Sequence, residues 1–311
     1  NYLCDGKPFT AYVKAKGVMG FKALGTDNKV KVGLNWDLAK NFGDGQVYDM
    51  HRPLSLTGWS SRPRKYSDIP ALQNLSFFVE ELMKWKWGQN KFELMAGVRL
   101  NTMPGLDDKY EMSGKVYADP RGNLAWHFPK FNVGGKPMAI SLNGGIGITT
   151  KMPTLNYLYP DKYYSNFICL AYYDTANPEQ DSKFIVHTYV QNPTNYGLKP
   201  AKNKKWEVRL DMDWNDNRLS VDYFREAMSS GFRYSSTYGV YNYNYYDVSQ
   251  MSAGKDYTTL PYEARQVLDG YQQASNGSRL VKQGIELAFT SQRIHCLRTR
   301  VNVTGAWFRT E

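Results

Sequence analysis

The sequence has few cysteines and no long apolar run, and both shortages exclude common classes of protein. Its 311 residues include three cysteines, Cys4, Cys169 and Cys296. They are odd in number, lie far apart and show no paired metal-ligand spacing, so they predict neither a disulfide framework nor a zinc site. The longest apolar run covers residues 167–173, far short of the roughly 18 residues of a membrane-spanning helix.

Patterns that catalysis requires are also scarce. The histidines, at positions 51, 127, 187 and 295, are scattered, and none has a second ligand at metal spacing. No serine lies in a nucleophile elbow. The glycines Gly144, Gly145 and Gly147 lie within a strand pattern and lack the following helix of a phosphate-binding loop. Asp211 and Asp213 share a strand face with other charged residues, which indicates a wetted wall and not an acid–base pair. We therefore expect no enzyme activity, no catalytic residues, no metal and no cofactor.

The chain carries an excess of positive charge. Its 39 Lys and Arg against 29 Asp and Glu give a formal net charge of +10, a balance that attracts anionic partners. The basic runs are short, however, and the clearest one, Lys202, Lys204 and Lys205, directly precedes a predicted strand. We attribute the excess to loops and to a water-facing wall, and we predict no nucleic-acid partner.

Aromatic residues and strict alternation are abundant. There are 24 Tyr and 8 Trp, a composition that suits strands and binding surfaces. From Trp206 to Trp214 every second residue is apolar or aromatic, and the residues between them are charged. Since successive side chains of a strand point to opposite faces, this strand separates an apolar medium from a polar one. Residues 219–225 repeat the pattern after a predicted turn at 215–217.

Strand pairs of this kind recur along the chain. Their connections alternate between short and long, which is typical of outer-membrane barrels with short periplasmic turns and long extracellular loops. In the second pair Glu81 falls on the apolar face, and in the third Pro120 predicts a bulge or an edge because proline cannot donate to the ladder. One more strand is predicted at 184–190. The predicted pairs are 11–23 with 29–38, 75–87 with 92–100, 115–128 with 139–148, 205–214 with 219–225, and 283–290 with 297–308.

Long irregular stretches are predicted at residues 41–70, 150–200 and 235–277. The last two are rich in tyrosine, whose ring stacks on sugars or peptides and whose hydroxyl donates hydrogen bonds. Packing of the loops on one another would use the same residues equally well. The predicted substrate-binding residues are Tyr159, Tyr163, Tyr164, Tyr238, Tyr241, Tyr243 and Tyr245.

Short motifs lie in order along nearly the whole chain. They are AGVR at 96–99, DPR at 119–121, GGIG at 144–147, KMPTL at 151–155, LYP at 158–160, LKP at 198–200 with Glu207 opening a strand, YF at 223–224 and GIE at 284–286. In order and spacing they resemble the barrel of TonB-dependent receptors, especially those of the Bacteroidetes.

The resemblance implies an all-β, antiparallel transmembrane barrel of 22 strands with a plugged lumen, located in the bacterial outer membrane. We expect residues 1–311 to form a single partial barrel domain of about 10–12 meandering strands, with the plug domain and the C-terminal strands outside the sequence. The implied function is TonB-dependent uptake of a bulky nutrient, such as a glycan, a peptide or a chelate. The implied partners are outer-membrane lipid, TonB through the plug, and a surface substrate-binding lipoprotein.

The residues alone leave two alternatives open. One is a self-contained outer-membrane barrel enzyme, a protease or lipase, which predicts acidic and histidine residues converging at the loop ends. The other is a soluble β-sheet ligand-binding protein, in which the apolar faces meet each other. A mean hydropathy of -0.57 does not separate them, because a membrane barrel hides its apolar half in the alternation.

Overall fold

A computed structural model describes residues 2–48 and 62–311, which are almost entirely strands and connections. No helix within these ranges has the length and apolarity needed to cross a membrane. The strands are β1 (Tyr2–Asp5), β2 (Pro8–Ala23), β3 (Thr26–Asn41), β4 (Gly45–Tyr48), β5 (Leu72–Trp87), β6 (Asn90–Thr102), β7 (Tyr117–His127), β8 (Phe131–Val133), β9 (Lys136–Lys151), β10 (Tyr163–Tyr172), β11 (Lys183–Gln191), β12 (Ala201–Trp214), β13 (Asn217–Tyr246), β14 (Tyr262–Thr290) and β15 (Asn302–Thr310). The helices are α1 (Leu155–Leu158) and α2 (Pro178–Asp181), with 3-10 turns at Tyr66–Asp68, Val248–Gln250 and Tyr257–Thr259.

Most strands belong to one antiparallel sheet of 11 strands. Its order is β15-β14-β13-β12-β9-β7-β6-β5-β3-β2, with β8 paired to β9. Sheet neighbours follow one another along the chain, so the sheet is a meander. Two small sheets, β1 with β4 and β10 with β11, lie outside it. This architecture confirms the prediction of a partial antiparallel barrel.

Tight turns join the strands at one end of the sheet. Leu24 and Gly25 connect β2 to β3 with φ of 50° and 76°, and Asn215 and Asp216 connect β12 to β13 with φ of 47° and 63°. Positive φ at both central residues is the geometry of a two-residue type I′ hairpin. The turns are shorter than predicted, because β3 begins at Thr26 and β13 at Asn217.

One face of the sheet is a continuous apolar surface. In β12, Leu210 pairs with Leu142 of β9 and with Val221 of β13. Val208, on the same face, is 44% exposed, so no other part of the described chain covers it. At roughly 3.3 Å per residue, the stretch from Trp206 to Trp214 spans about 26 Å along the strand. Its nine residues are the length with which a strand tilted by about 45° crosses the apolar core of a bilayer, and tryptophan lies at both ends, as in the aromatic girdles that flank the apolar band of a barrel.

Aromatic rings form a row on this face at the short-turn end. Trp85 stacks on Phe92 with centroids 5.2 Å apart, Phe92 on Trp126 at 5.7 Å, and Trp126 on Phe128 at 4.2 Å. A row of amphipathic rings at one level is typical of the girdle where a barrel meets the lipid headgroups.

The opposite face is ionic and hydrogen-bonded. The Lys31 ammonium lies 2.7 Å from one carboxylate oxygen of Glu80, and the Arg121 guanidinium donates to the other. Glu80 is buried, so these two cations balance a charge that water does not reach. Glu81 pairs with Val30 on the apolar face, in the register predicted from the sequence.

Asp119 and Pro120 mark the place where β7 loses a neighbour. Pro120 pairs with Val98 of β6 without a register shift, whereas pairing with β9 ends at Arg121. Pro120 therefore lies at an edge, one of the two predicted outcomes. The Asp119 carboxylate replaces the missing ladder bonds by accepting hydrogen bonds from the backbone N–H and hydroxyl of Thr150.

The predicted loop at 235–277 is wrong. β13 continues to Tyr246 and β14 begins at Tyr262, so the connection covers only 247–261. Tyrosine and threonine favour strands, but here they alternate with serine and asparagine. The alternation of apolar and charged residues that marks the run from Trp206 to Trp214 is absent from this stretch.

Two further strands differ from the prediction. β10 was missed because several residues on both of its faces are buried or half-buried, so it has no period-two contrast. β15 begins at Asn302, and a bridge between Ile294 and Thr299 closes the connection at 291–301. The predicted irregular stretch 41–70 falls partly outside the described residues, as does His51, and its described part includes β4.

A new charge should destabilise the protein on the apolar face and have little effect on its stability on the polar face. Leu210 lies midway along the apolar stretch of β12, and Ser220 pairs with Asp211 on the polar face. We expect Leu210→Arg to lower the free energy of unfolding by about 2–4 kcal/mol in lipid vesicles, and Ser220→Arg to change it by less than about 0.5 kcal/mol. Urea titration of the full-length protein in vesicles measures both. Equal losses would contradict the assignment of the faces.

Candidate functional site

The long connections gather at one end of the sheet. They join β3 to β5, β6 to β7, β9 to β12 and β13 to β14, whereas the opposite end carries the short turns. The predicted substrate-binding tyrosines all lie toward the long-connection end. This end is therefore the candidate site.

A small apolar core holds this end together. The Tyr110 hydroxyl donates a hydrogen bond to the Leu158 carbonyl oxygen, and burial raises the pKa of Tyr110 well above its usual range. The Tyr110 ring meets Tyr159 edge-on, with centroids 5.8 Å apart. Tyr159, directly after α1, is thereby fixed in place. The buried residues of this core are Met103, Leu106, Tyr110, Met112 and Leu158.

Tyr159, Tyr163 and Tyr164 line one open cavity of about 630 Å³, called here the rim cavity. It lies between residues 62–70 and the chain around the start of β10. Arg64 forms an ion pair with Asp161 and donates a 2.7 Å hydrogen bond to the Tyr159 carbonyl oxygen. The polar lining also includes Gln46, Arg62, Lys65, Asp68, Lys162, Asn192 and Thr194.

Cations outnumber carboxylates around the rim cavity. Its described lining residues include two arginines and two lysines, at positions 62, 64, 65 and 162, against two aspartates, at 68 and 161. The Arg62 guanidinium lies 5.0 Å from the centroid of the Tyr164 ring, within the range of a cation–π contact. The cavity therefore combines net positive charge with aromatic surface.

Tyr159 and Tyr163 of the rim cavity remain neutral phenols. Burial raises the pKa of Tyr163, and the nearby Asp269 and Tyr241 add to the effect. Burial is likewise the main cause of the raised pKa of Tyr159. Both hydroxyls keep their protons at neutral pH, so each remains a hydrogen-bond donor.

The β10–β11 hairpin is attached to β13 by aromatic contacts. The Phe167 ring stacks on Tyr243 at 5.2 Å between centroids and lies 6.0 Å from Tyr241 and 6.1 Å from Tyr189. The Tyr189 hydroxyl donates a 2.6 Å hydrogen bond to the Asn242 carbonyl oxygen. Tyr241 and Tyr243 therefore have a structural role in this contact.

A second cavity of about 570 Å³, called here the tip cavity, lies beyond this cluster. Tyr243 lines it, together with His187 and Arg265. Tyr245 lies beside it, with the Arg265 guanidinium 3.7 Å from its ring centroid. Burial raises the pKa of Cys169, which also lines the cavity, so its sulfur stays a protonated thiol and a poor nucleophile.

Tyr238 lies apart from the other predicted residues. It is 68% exposed, and alternation along β13 places it on the face opposite Tyr241, Tyr243 and Tyr245. The structure thus groups Tyr159, Tyr163 and Tyr164 at the rim cavity, and Tyr241, Tyr243 and Tyr245 near the tip cavity.

Sequence reasoning missed several residues of these cavities. Arg62, Arg64 and Lys65 reach the rim cavity from the connection before β5, and the only sequence signal was three basic residues within four positions. The only sequence signal for Phe167 was its place at the start of the apolar run 167–173. His187, one of the scattered histidines, has its ring centroid 4.6 Å from that of Tyr189, with the two rings tilted by 32°.

In the described part of the chain, groups suited to metal binding or hydrolysis do not converge at this end. Among residues 2–48 and 62–311, no cluster of three or more His, Cys, Asp or Glu side chains could hold a metal ion. Asp161 pairs with Arg64, and Glu111 pairs with Lys115 and Lys199. The convergence of acid and histidine that the barrel-enzyme alternative predicts is not seen in the described part of the chain.

Comparison with known proteins places this geometry in a family. Residues 7–311 match the family model described as TonB dependent receptor-like, beta-barrel. The siderophore receptor PirA from Acinetobacter baumannii is similar in structure with a TM-score of 0.53 at 13% identity, and PirA from Pseudomonas aeruginosa with 0.53 at 15%. These identities support a shared fold alone. No curated protein matches the chain in sequence.

The chain is much shorter than these two receptors. The match covers 92% of this chain and 34% of the Acinetobacter receptor, and 97% of this chain and 43% of the Pseudomonas receptor. The chain therefore spans less than half of the length of either structure.

The aromatic attachment of the hairpin is open to a direct test. Each aromatic pair contributes about 0.5–1.5 kcal/mol beyond its area, so Phe167→Ala should release the β10–β11 hairpin and speed hydrogen exchange of its amides about tenfold or more. Phe184→Ala is the matched control, because Phe184 lies on the same hairpin and is 42% exposed. Equal exchange rates in the two variants would show that the Phe167 cluster does not hold the hairpin.

Proposed function

The chain belongs to the TonB-dependent receptor β-barrel family, whose members lie in the outer membrane of Gram-negative bacteria, and we propose that it forms part of the wall of a nutrient receptor. In this proposal residues 1–311 are one partial barrel domain. The nutrient is bulky, and a glycan, a peptide and a chelate are the candidate classes. The protein acts as a receptor and not as an enzyme.

The observation that carries this proposal is the presence of two cavities at the long connections. The rim cavity, of about 630 Å³, lies at the start of β10 and just after the end of β11, and the tip cavity, of about 570 Å³, lies farther along the same hairpin. Cavities of about 430, 600 and 420 Å³ also lie along the ionic face of the sheet, but strand residues alone line these. Cavities of this size suit ligands larger than an amino acid or a monosaccharide. Since the short turns occupy the other end, the cavities face the outside of the cell in the orientation typical of outer-membrane barrels.

Binding alone does not move a nutrient across the membrane. We propose that the ligand binds at the long connections and that a plug domain outside this sequence then opens a path along the ionic face of the sheet. The energy comes from the inner membrane through TonB, which acts on the plug. A surface substrate-binding lipoprotein is a further proposed partner at the long-connection end.

An uptake assay tests the receptor function. Cells with and without the gene receive a labelled panel of oligosaccharides, oligopeptides and iron chelates, with the inner membrane energised or uncoupled. We expect energy-dependent uptake of one class, and only in cells that carry the gene. Equal uptake of every class by both strains would contradict the proposal.

A tyrosine of the rim cavity and the isolated Tyr238 predict different effects on ligand binding. Stacking on an aromatic ring contributes about 1–3 kcal/mol, by analogy with base stacking, so Tyr164→Ala should weaken binding of the transported class about tenfold or more. Tyr238→Ala removes an exposed tyrosine that lies on the face away from Tyr241 and Tyr243. It should leave the dissociation constant within twofold. If Tyr238→Ala weakened binding and Tyr164→Ala did not, the ligand would have to bind on the face of β13 that carries Tyr238.

A further inference from the structure

We propose that the rim cavity binds an acidic saccharide, a sugar chain with carboxylate or sulfate groups. This inference rests on the proposed receptor function and narrows its ligand class. It follows from three properties of the cavity, namely its charge, its aromatic surface and its hydrogen-bonding groups.

The positive charge of the rim cavity is only partly neutralised from within. The Arg64 guanidinium forms an ion pair with the Asp161 carboxylate. The Lys65 ammonium is 4.0 Å from Asp44, at the limit of an ion pair, and its side chain is 56% exposed. Lys162 is exposed and forms no ion pair with any described residue. Lys65 and Lys162 thus remain available to an anionic group, and a partly enclosed cavity screens such a contact less than open water does.

The aromatic and polar lining fits a sugar ring between these charges. Tyr159 and Tyr164 supply ring surface, which suits the apolar face of a pyranose. Gln46, Asn192 and Thr194 supply amides and a hydroxyl, which donate to and accept from sugar hydroxyls. An acidic peptide would pair with the lysines equally well, but its backbone would need an exposed strand edge, and only three of the described lining residues, Gln46, Tyr163 and Tyr164, belong to strands.

The tip cavity lacks this charge pattern. Arg265 is its one arginine among the described lining residues, and its guanidinium lies 2.7 Å from the Glu263 carboxylate. Its other described polar groups carry no fixed positive charge; they are the amides of Asn242, Asn244 and Gln266, the imidazole of His187, the thiol of Cys169 and the hydroxyls of Tyr243, Tyr246 and Tyr257. Of the two cavities at the long connections, the rim cavity is therefore the one assigned to recognition of negative charge.

The test compares acidic and neutral forms of one ligand on the full-length receptor in detergent. The probes are trigalacturonate, its methyl ester, sulfated galactotriose, galactotriose and triglutamate. The variants are Lys65→Gln with Lys162→Gln in one protein, and Lys109→Gln as the matched control. Lys109 is exposed in the connection between β6 and β7 and does not line the rim cavity, so its loss removes charge without touching the site.

We expect at least one acidic saccharide to bind about tenfold more tightly than its neutral counterpart. The double variant should weaken that binding about fivefold to tenfold, the scale of two partly exposed ion pairs, and leave the neutral form unchanged. Raising the salt concentration should weaken the acidic form alone. Lys109→Gln should behave like the unaltered protein.

Several results would overturn the inference. Equal binding of acidic and neutral saccharides would remove the role of charge, and equal losses in the double variant and Lys109→Gln would remove the role of the rim cavity. Binding of triglutamate with no binding of any saccharide would assign the cavity to acidic peptides. None of these results touches the receptor function, because the uptake assay measures it with a panel that does not depend on charge.

Discussion

The hydrogen-bond ladder between neighbouring strands is the constraint on which the rest of this structure depends. Within lipid, backbone N–H and C=O groups have no water to bind, so each must find a partner in the adjacent strand. The ladder from β2 to β15 meets this requirement in register, and side chains alternate strictly between two faces wherever that register holds. It is broken where Pro120 enters β7 and near Gly231 in β13. Both sites lie toward the long-connection end, and at the first of them the Asp119 carboxylate accepts hydrogen bonds in place of the missing ladder bonds.

That constraint reverses the usual distribution of apolar residues. The sheet has lipid-facing apolar residues and an ionic inner wall, so little of its apolar surface is buried within the protein. Most buried apolar side chains of the described residues lie instead in the connections, in a core around Tyr110 and Leu158 and in a second one around Leu170 and Met251. These cores let long connections hold a fixed shape. They position the rim cavity and the tip cavity although neither cavity is built on the sheet alone.

The sequence predicted the fold best where the two faces of a strand meet different media. The run from Trp206 to Trp214 has a clear period of two, and the turn after it and the start of its partner β13 were predicted within two residues, although β12 begins at Ala201 and not at 205. The prediction failed for β10, because both of its faces are partly covered by other residues. It also failed for residues 235–246 of β13, where tyrosine alternates with polar residues. The site was found only in part. Tyr159, Tyr163 and Tyr164 were identified from their local density, but Arg62 and Lys65 come from a distant connection. Tyr238 faces away from Tyr241 because the two residues are three positions apart on one regular stretch of β13, so alternation places them on opposite faces.

The central claim is that lipid meets one face of this sheet and water the other. The most direct measurement is a spin-label scan of residues 206–214 in the full-length protein in vesicles, with Cys4, Cys169 and Cys296 replaced by serine. Accessibility to oxygen, which partitions into lipid, and to a water-soluble nickel complex is recorded at each position. The account predicts alternation with a period of two, with labels at Val208, Leu210 and Met212 accessible to oxygen, and labels at Arg209 and Asp211 accessible to nickel. Uniform access of the nickel complex to all positions would contradict it.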